Sequence, residues 1–243
     1  MKSLLAPFLF LGLGAGSLPA LSAEEADASA ILAAVRENAR LQNVSFEGFL
    51  RKGRINSPIK IAMEGEVIRF SLSRPSEEYE FRIRKDGHEI VYRKGEEDFA
   101  AVEAKRLEKG LRMTDVTIED LALRFLYWED VKLLGSDTIK GQDCWQLHLT
   151  NPGETGPYAS VEVWVEKKQL ALMQVNGLNE EGERIRRFRI DKVQHLESGF
   201  FPQQMVVEEY KPESGRLRGW TYIELKLPKG LRSDQPTRKP IWD

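Results

Sequence analysis

The stretch Thr114–Leu149, TDVTIEDLALRFLYWEDVKLLGSDTIKGQDCWQLHL, decides how the rest of the chain is read. Thr117 followed three residues on by Asp120 is a capping-box start, with Asp in place of the usual Glu. The spacing predicts a helix over Thr117–Leu126, with Leu121, Phe125 and Trp128 along its apolar side. Two strands follow, Leu133–Ile139 and Asp143–Leu149, turned at Lys140-Gly141. An apolar helix beside strands without a catalytic set is the layout of a covered, apolar hollow rather than a reaction centre.

Upstream of this stretch the chain alternates with a period of two. Ser45–Arg51 sets Phe46, Gly48 and Leu50 against Glu47, Phe49 and Arg51. Ile59–Met63 and Val67–Ser73 repeat the pattern across a two-residue link at Glu64-Gly65. Tyr79, Phe81 and Ile83 alternate with Glu80, Arg82 and Arg84, and Glu89–Lys94 returns after a turn at Asp86-Gly87. Strands with one apolar and one charged face, joined by short turns, form an antiparallel meander. Ahead of them Asp27–Leu41 reads as an amphipathic helix. Ile31, Leu32, Val35 and Ala39 lie on one stripe, Arg36, Glu37 and Arg40 lie opposite, and Asp27 or Ser29 caps the start. Glu96–Gly110 fits a helix or an irregular segment equally well.

Downstream, strands resume at Val161–Glu166 and Gln169–Asn176. Arg184–Val193 follows, and a last hairpin joins Phe200–Tyr210 to Arg216–Leu227. About ten or eleven strands with two helices exclude a helical bundle, and the links are too short for the crossover helices of a parallel sheet. The expected fold is mainly β (α+β): a curved antiparallel sheet forming an incomplete β-barrel, with helices covering its concave face.

Met1–Ala23 has the form of a cleaved signal peptide, with Lys2 before an apolar run and small residues at Ser22-Ala23. Residues 24–228 are expected to form one domain and 229–243 a polar tail. The mature protein is then exported, and the residue after the expected cleavage is Glu24 rather than a lipid-bearing cysteine. The 36 basic and 38 acidic side chains nearly balance, so nucleic-acid binding has no electrostatic support. The single cysteine, Cys144, excludes an internal disulfide and a cysteine-based zinc site. Asn43-Val44-Ser45 matches a glycosylation sequon by pattern alone.

The three histidines, His88, His148 and His195, do not assemble into a motif. His88 beside its turn and His195 before a loop read as surface residues. Cys144 and His148 share a strand face but stand about 13 Å apart at strand rise, too far for a dyad. Adjacent carboxylates such as Glu208-Glu209 point to opposite faces of a strand and are poor acid/base partners. No enzyme, cofactor or metal site is expected. What remains is apolar: Phe70, Phe81, Ile83, Tyr92, Leu121, Phe125, Leu126, Trp145, Leu147, Val163, Met173 and Met205 are the candidate lining of a cavity. Burying an acyl chain gains about 0.8 kcal/mol per methylene, so such a site needs no polar motif.

These segments resemble the LolA-like, outer-membrane lipoprotein-sorting family. The resemblance rests on ILAAVRENARLQNVSFEGFLR, on MTDVTIEDLALRFLYW, on LLGSDTIKGQDCWQLHL, and on YASVEVWVEKKQLALMQVNGLNEEGERIRRFRIDKV. It implies a soluble periplasmic carrier or chaperone, without catalytic residues, that shields lipoprotein acyl chains or lipid in an apolar cavity. Its partners would be an inner-membrane transporter complex and an outer-membrane acceptor, and the carrier itself is expected to be a monomer. The alternative on the same fold is a periplasmic protein-binding regulator, similar to the envelope-stress proteins that engage anti-sigma factors.

Overall fold

The computed structural model describes residues 27–40, 44–84, 87–153, 155–196 and 199–226. The expected signal peptide, the sequon at Asn43, the turn residue Asp86 and the tail from 229 lie outside them, as does the side chain of His195. Helix α1 spans Ala28–Arg40, and Asp27 caps it: its Oδ1 accepts from the Ser29 N–H at 2.9 Å. The meander follows as β1 (Val44–Lys52), β2 (Ile55–Glu64), β3 (Val67–Leu72), β4 (Glu77–Arg84) and β5 (Gly87–Lys94). The segment whose period was unsettled holds a two-residue strand, β6 (Ala100–Ala101), and a four-residue helix, α2 (Ala104–Leu107). Helix α3 (Ile118–Ala122) precedes β7 (Val131–Ile139), β8 (Gln142–Thr150), β9 (Ser160–Glu166) and β10 (Leu172–Leu178). Strands β11 (Arg184–Leu196), β12 (Gly199–Lys211) and β13 (Arg216–Lys226) complete the chain. The described residues thus hold 13 strands and three α-helices, more than the pattern alone separates.

All 13 strands form one antiparallel sheet in the order β6-β5-β4-β3-β2-β1-β13-β12-β11-β10-β9-β8-β7. The first and last long strands pair at its middle, with Gly48 opposite Leu225. A Cβ at Gly48 would come 2.0 Å from the Glu224 carbonyl oxygen, so that approach requires glycine. The consequence is topological. With β1 and β13 joined centrally, β6 and β7 become the two free edges, and the sheet does not close. The chain between them, 102–130, must pass from one edge to the other. This connector carries α2 and α3 across the concave face.

The concave face holds two apolar cores. One gathers Phe46, Leu50, Phe70, Phe81 and Ile223 from the sheet with Leu107, Val116, Ile118 and Leu121 from the connector. In the other, Ile31, Leu32 and Val35 of α1 meet Phe125, Leu126 and Trp128 over Trp145, Leu147, Leu149, Val161 and Val163. Tyr127 and Phe188 pack against both. On the convex face the alternating charges pair across strands. Glu80 lies 2.8 Å from Arg69 and 2.6 Å from Arg82, Glu78 lies 2.9 Å from Arg93, and Glu224 lies 2.6 Å from Arg51.

The predicted helix Thr117–Leu126 is corrected by this arrangement. Its capping box forms, with the Asp120 N–H donating to Thr117 Oγ1 and the Thr117 N–H to Asp120 Oδ2. The helix then stops at Ala122, because Leu123 turns left-handed at φ 50°, and a 3₁₀ turn follows over Arg124–Tyr127. A continuous helix would keep Leu121, Phe125 and Leu126 on one side. The break sends Leu121 to the first core and Phe125 and Leu126 to the second.

Candidate functional site

The connector is pinned to the sheet by buried polar groups at two places. At the first, the Asp115 N–H donates to Thr221 Oγ1 at 2.9 Å, and that hydroxyl donates to Asp115 Oδ2 at 3.0 Å. Lys52 of β1 pairs with the other carboxylate oxygen of Asp115. At the second, Asp120 accepts from the Tyr158 hydroxyl at 2.7 Å and from Arg186 of β11 at 3.2 Å. Burial opposes the charge of Arg186, but Asp120 and its other neighbours outweigh burial and raise its pKa. Burial, reinforced by the Asp120 carboxylate, raises the Tyr158 hydroxyl well above the ordinary tyrosine value, so it remains a donor. Next to this pin, Arg124 pairs with Glu119 at 2.6 Å and donates to the Thr155 carbonyl.

The seam between the cores holds a void of only about 10 Å³, bordered by Leu123, Phe125, Tyr158 and Phe188. That is at most room for one water. The larger space lies where the two ends of the connector, 102–107 and 124–129, approach each other, and there a cleft of about 970 Å³ opens to solvent. Its walls are Arg36 of α1, Arg84 and His88–Ile90 around the β4–β5 turn, Ala104 and Leu107 of α2, Arg124, Tyr127 and Glu129. The volume falls within the roughly 300–1,000 Å³ of small-molecule sites. An aromatic group stands beside it: His88 lies 5.3 Å from Phe81 and 5.9 Å from Tyr127, and Phe81 lies 5.6 Å from Tyr127, between centroids.

The candidate lining residues divide among these features. Phe70, Phe81, Leu121 and Met205 lie in the first core, with Ile83 and Tyr92 at its margin. Phe125, Leu126, Trp145, Leu147 and Val163 lie in the second. Met173 stands apart from both. A bulge between Leu172 and Gln174 turns it toward Cys144 and Trp164, on the sheet face opposite Trp145 and Leu147. None of the twelve borders the 970 Å³ cleft. One of them has an unmet need: Trp145, 5% exposed, leaves its indole N–H without a hydrogen-bond partner.

The residues that border the cleft carried no such signal in the sequence. Arg36 fell on the polar side of α1. His88, read as a surface residue, is half-buried against Phe81 and Tyr127 instead, because the connector brings Tyr127 over it. Among the described residues no group of three or more His, Cys, Asp or Glu could hold a metal, and no helix is long and apolar enough to cross a membrane.

A family model described as "Uncharacterized protein" matches residues 91–226, more than half of the chain. The chain belongs to that family. The match takes in the connector and every strand from β7 to β13. No curated protein matches the chain. Solved structures resemble it in fold. A DUF1329 family protein from Desulfovibrio piger superposes with a TM-score of 0.65 at 16% identity, covering 84% of this chain and 93% of that one. A putative outer membrane lipoprotein-sorting protein domain from Vibrio parahaemolyticus gives 0.64 at 11%, covering 87% and 95%. A LolA superfamily protein from Nitrosomonas europaea gives 0.59 at 15%, covering 83% and 94%. The fold is LolA-like, as the sequence motifs imply.

Proposed function

We propose that this protein is a periplasmic carrier that holds the acyl chains of lipid or lipoprotein between its two cores, beneath the connector. One observation carries the reading. An open sheet is covered by a separate, pinned connector, so its concave face divides into two apolar cores that meet along a seam at Tyr127 and Phe188, and in the carrier they part there to admit the chain. A chain of about 16 carbons lying there would gain on the order of 10 kcal/mol from burial alone. The unpaired indole N–H of Trp145 suits an ester carbonyl entering the second core. The likeness to a lipoprotein-sorting domain supports the same reading at the level of fold. In this role the carrier would load at an inner-membrane transporter and unload at an outer-membrane acceptor.

The test is direct. Protein purified from periplasm is extracted and its lipid identified by mass spectrometry, and the emptied protein is offered a fluorescent fatty acid or lipopeptide. Co-purifying lipid together with saturable uptake is expected. Lipid-free protein that also takes up neither probe would overturn the carrier reading.

A further inference from the structure

Arg36 is the cation of the cleft that has no paired carboxylate among the described residues. Its Nε donates to the Leu32 carbonyl at 3.4 Å, and its guanidinium lies 5.8 Å from the centroid of the Tyr127 ring. No carboxylate among the described residues pairs with it. The other two arginines of the cleft are committed, Arg124 to Glu119 and Arg84 to Glu89. A half-buried guanidinium without an anion has surrendered hydration and received little in return. Beneath it the floor is apolar. Ile90, Val102, Leu107 and Tyr127 border the cleft and pack into the first core, and Tyr127 also touches the second. Glu89, taken by Arg84, and the exposed Glu129 also border the cleft, so among the described residues Arg36 is the half-buried charge left without an ion pair, and the surface runs from it over apolar side chains toward the seam. That gradient matches an amphiphile whose head bears anionic oxygens.

We propose that the cleft is the headgroup site of the carried lipid, with Arg36 holding a phosphate or carboxylate through its planar fork. Arg84 at the rim stays paired with Glu89, and the first carbons of the tail lie over Tyr127 and Ile90. This inference rests on the carrier reading and adds a preference to it: among lipids of equal chain length, the anionic ones bind best.

Short-chain, monomeric lipids separate the two claims. Dioctanoyl phosphatidylglycerol, dioctanoylglycerol and glycerol phosphate are titrated by calorimetry into the wild type, Arg36→Gln and Arg218→Gln, an exposed arginine that pairs with Glu209 and does not border the cleft. The wild type is expected to bind the phosphatidylglycerol about tenfold or more tightly than the neutral diacylglycerol. Arg36→Gln removes that difference and leaves diacylglycerol binding unchanged, and Arg218→Gln alters neither. Equal binding of both lipids, indifferent to Arg36, overturns the headgroup site and leaves the carrier standing. Failure of both lipids to bind overturns both readings. Glycerol phosphate binding as tightly as the lipid, with diacylglycerol inert, assigns the cleft to a free anion instead. If Arg36→Gln does not fold, Arg36→Lys is read. A reduced but surviving preference supports the site, and an unchanged one overturns it.

Discussion

Gly177 and Tyr158 show how single residues hold the connector in place. A Cβ at position 177 would come 2.4 Å from the Tyr158 ring, so only glycine leaves that ring free to reach Asp120. Gly177→Ala is expected to lower stability by about 1–3 kcal/mol, as overpacking does, measured by urea denaturation. Tyr158→Phe leaves Asp120 Oδ1 without this donor in a buried setting and is expected to cost about 1–3 kcal/mol. Cys144 shows the reverse case, a polar atom made inert. It is fully buried among Trp164 and Met173, and burial pushes its thiol up to about 11. Its reaction with a thiol reagent at neutral pH is expected to be negligible in the folded protein and rapid in urea. Rapid labelling without denaturant would show that this outer cluster opens.

At the scale of elements, the connector is the part whose stability is set by few groups. Its α3 is five residues long, too short to persist by helix propensity. What keeps it helical is the capping box, the Arg124–Glu119 pair and the two polar pins. Leu123 at φ 50° adds a local cost of about 1–2 kcal/mol, accepted because it redirects the chain from one core to the other. Thr221→Val at a fully buried position deprives the Asp115 N–H of its acceptor and Asp115 Oδ2 of a donor. It is expected to destabilise by about 1–3 kcal/mol. Hydrogen exchange should then rise first at 111–123 and only later in β1 and β13. A uniform rise across the sheet would mean that the connector and sheet unfold as one unit.

For the whole molecule, the open sheet raises the question of its edges. Strand β6 is two residues long, and β7 carries Lys132 and a bulge between Leu133 and Gly135, features that blunt an edge against further pairing. The convex charge ladder gives the molecule its acid sensitivity. Burial alone would raise the Glu80 carboxyl, but hydrogen bonds from Arg82 and Arg69 outweigh it and hold the pKa below the usual value. Glu208 behaves likewise: burial is outweighed by hydrogen bonds from Arg187 and Tyr210. For Glu224 the Arg51 hydrogen bond is the leading cause, against opposing burial. Each folded carboxyl therefore releases its proton at lower pH than its unfolded counterpart. The stability it contributes is complete above the unfolded value of about 4.3 and is lost as pH falls through the folded one. The midpoint of urea unfolding is expected to hold steady above that value and drop below it, and Glu80→Gln should flatten the drop.

The alternation from Phe46 to Arg84, the capping box at Thr117 and Asp120, and the strand pair around Lys140-Gly141 were all legible in the residues. Each depends on neighbours a few positions away, and so on periods and turns that local chemistry sets. The antiparallel, helix-covered fold followed from them. Other features were not legible, because they depend on residues far apart in the chain. Nothing near Leu123 predicts its left-handed turn, which serves two cores built from opposite halves of the sheet. The bulge that takes Met173 to the convex face answers to packing with Cys144 and Trp164. Arg36 and Tyr127 stand 91 positions apart, and only the pairing of β1 with β13, which sends the connector from edge to edge, brings them to one cleft. Local pattern determined which faces are apolar, and tertiary structure decided which of those faces meet.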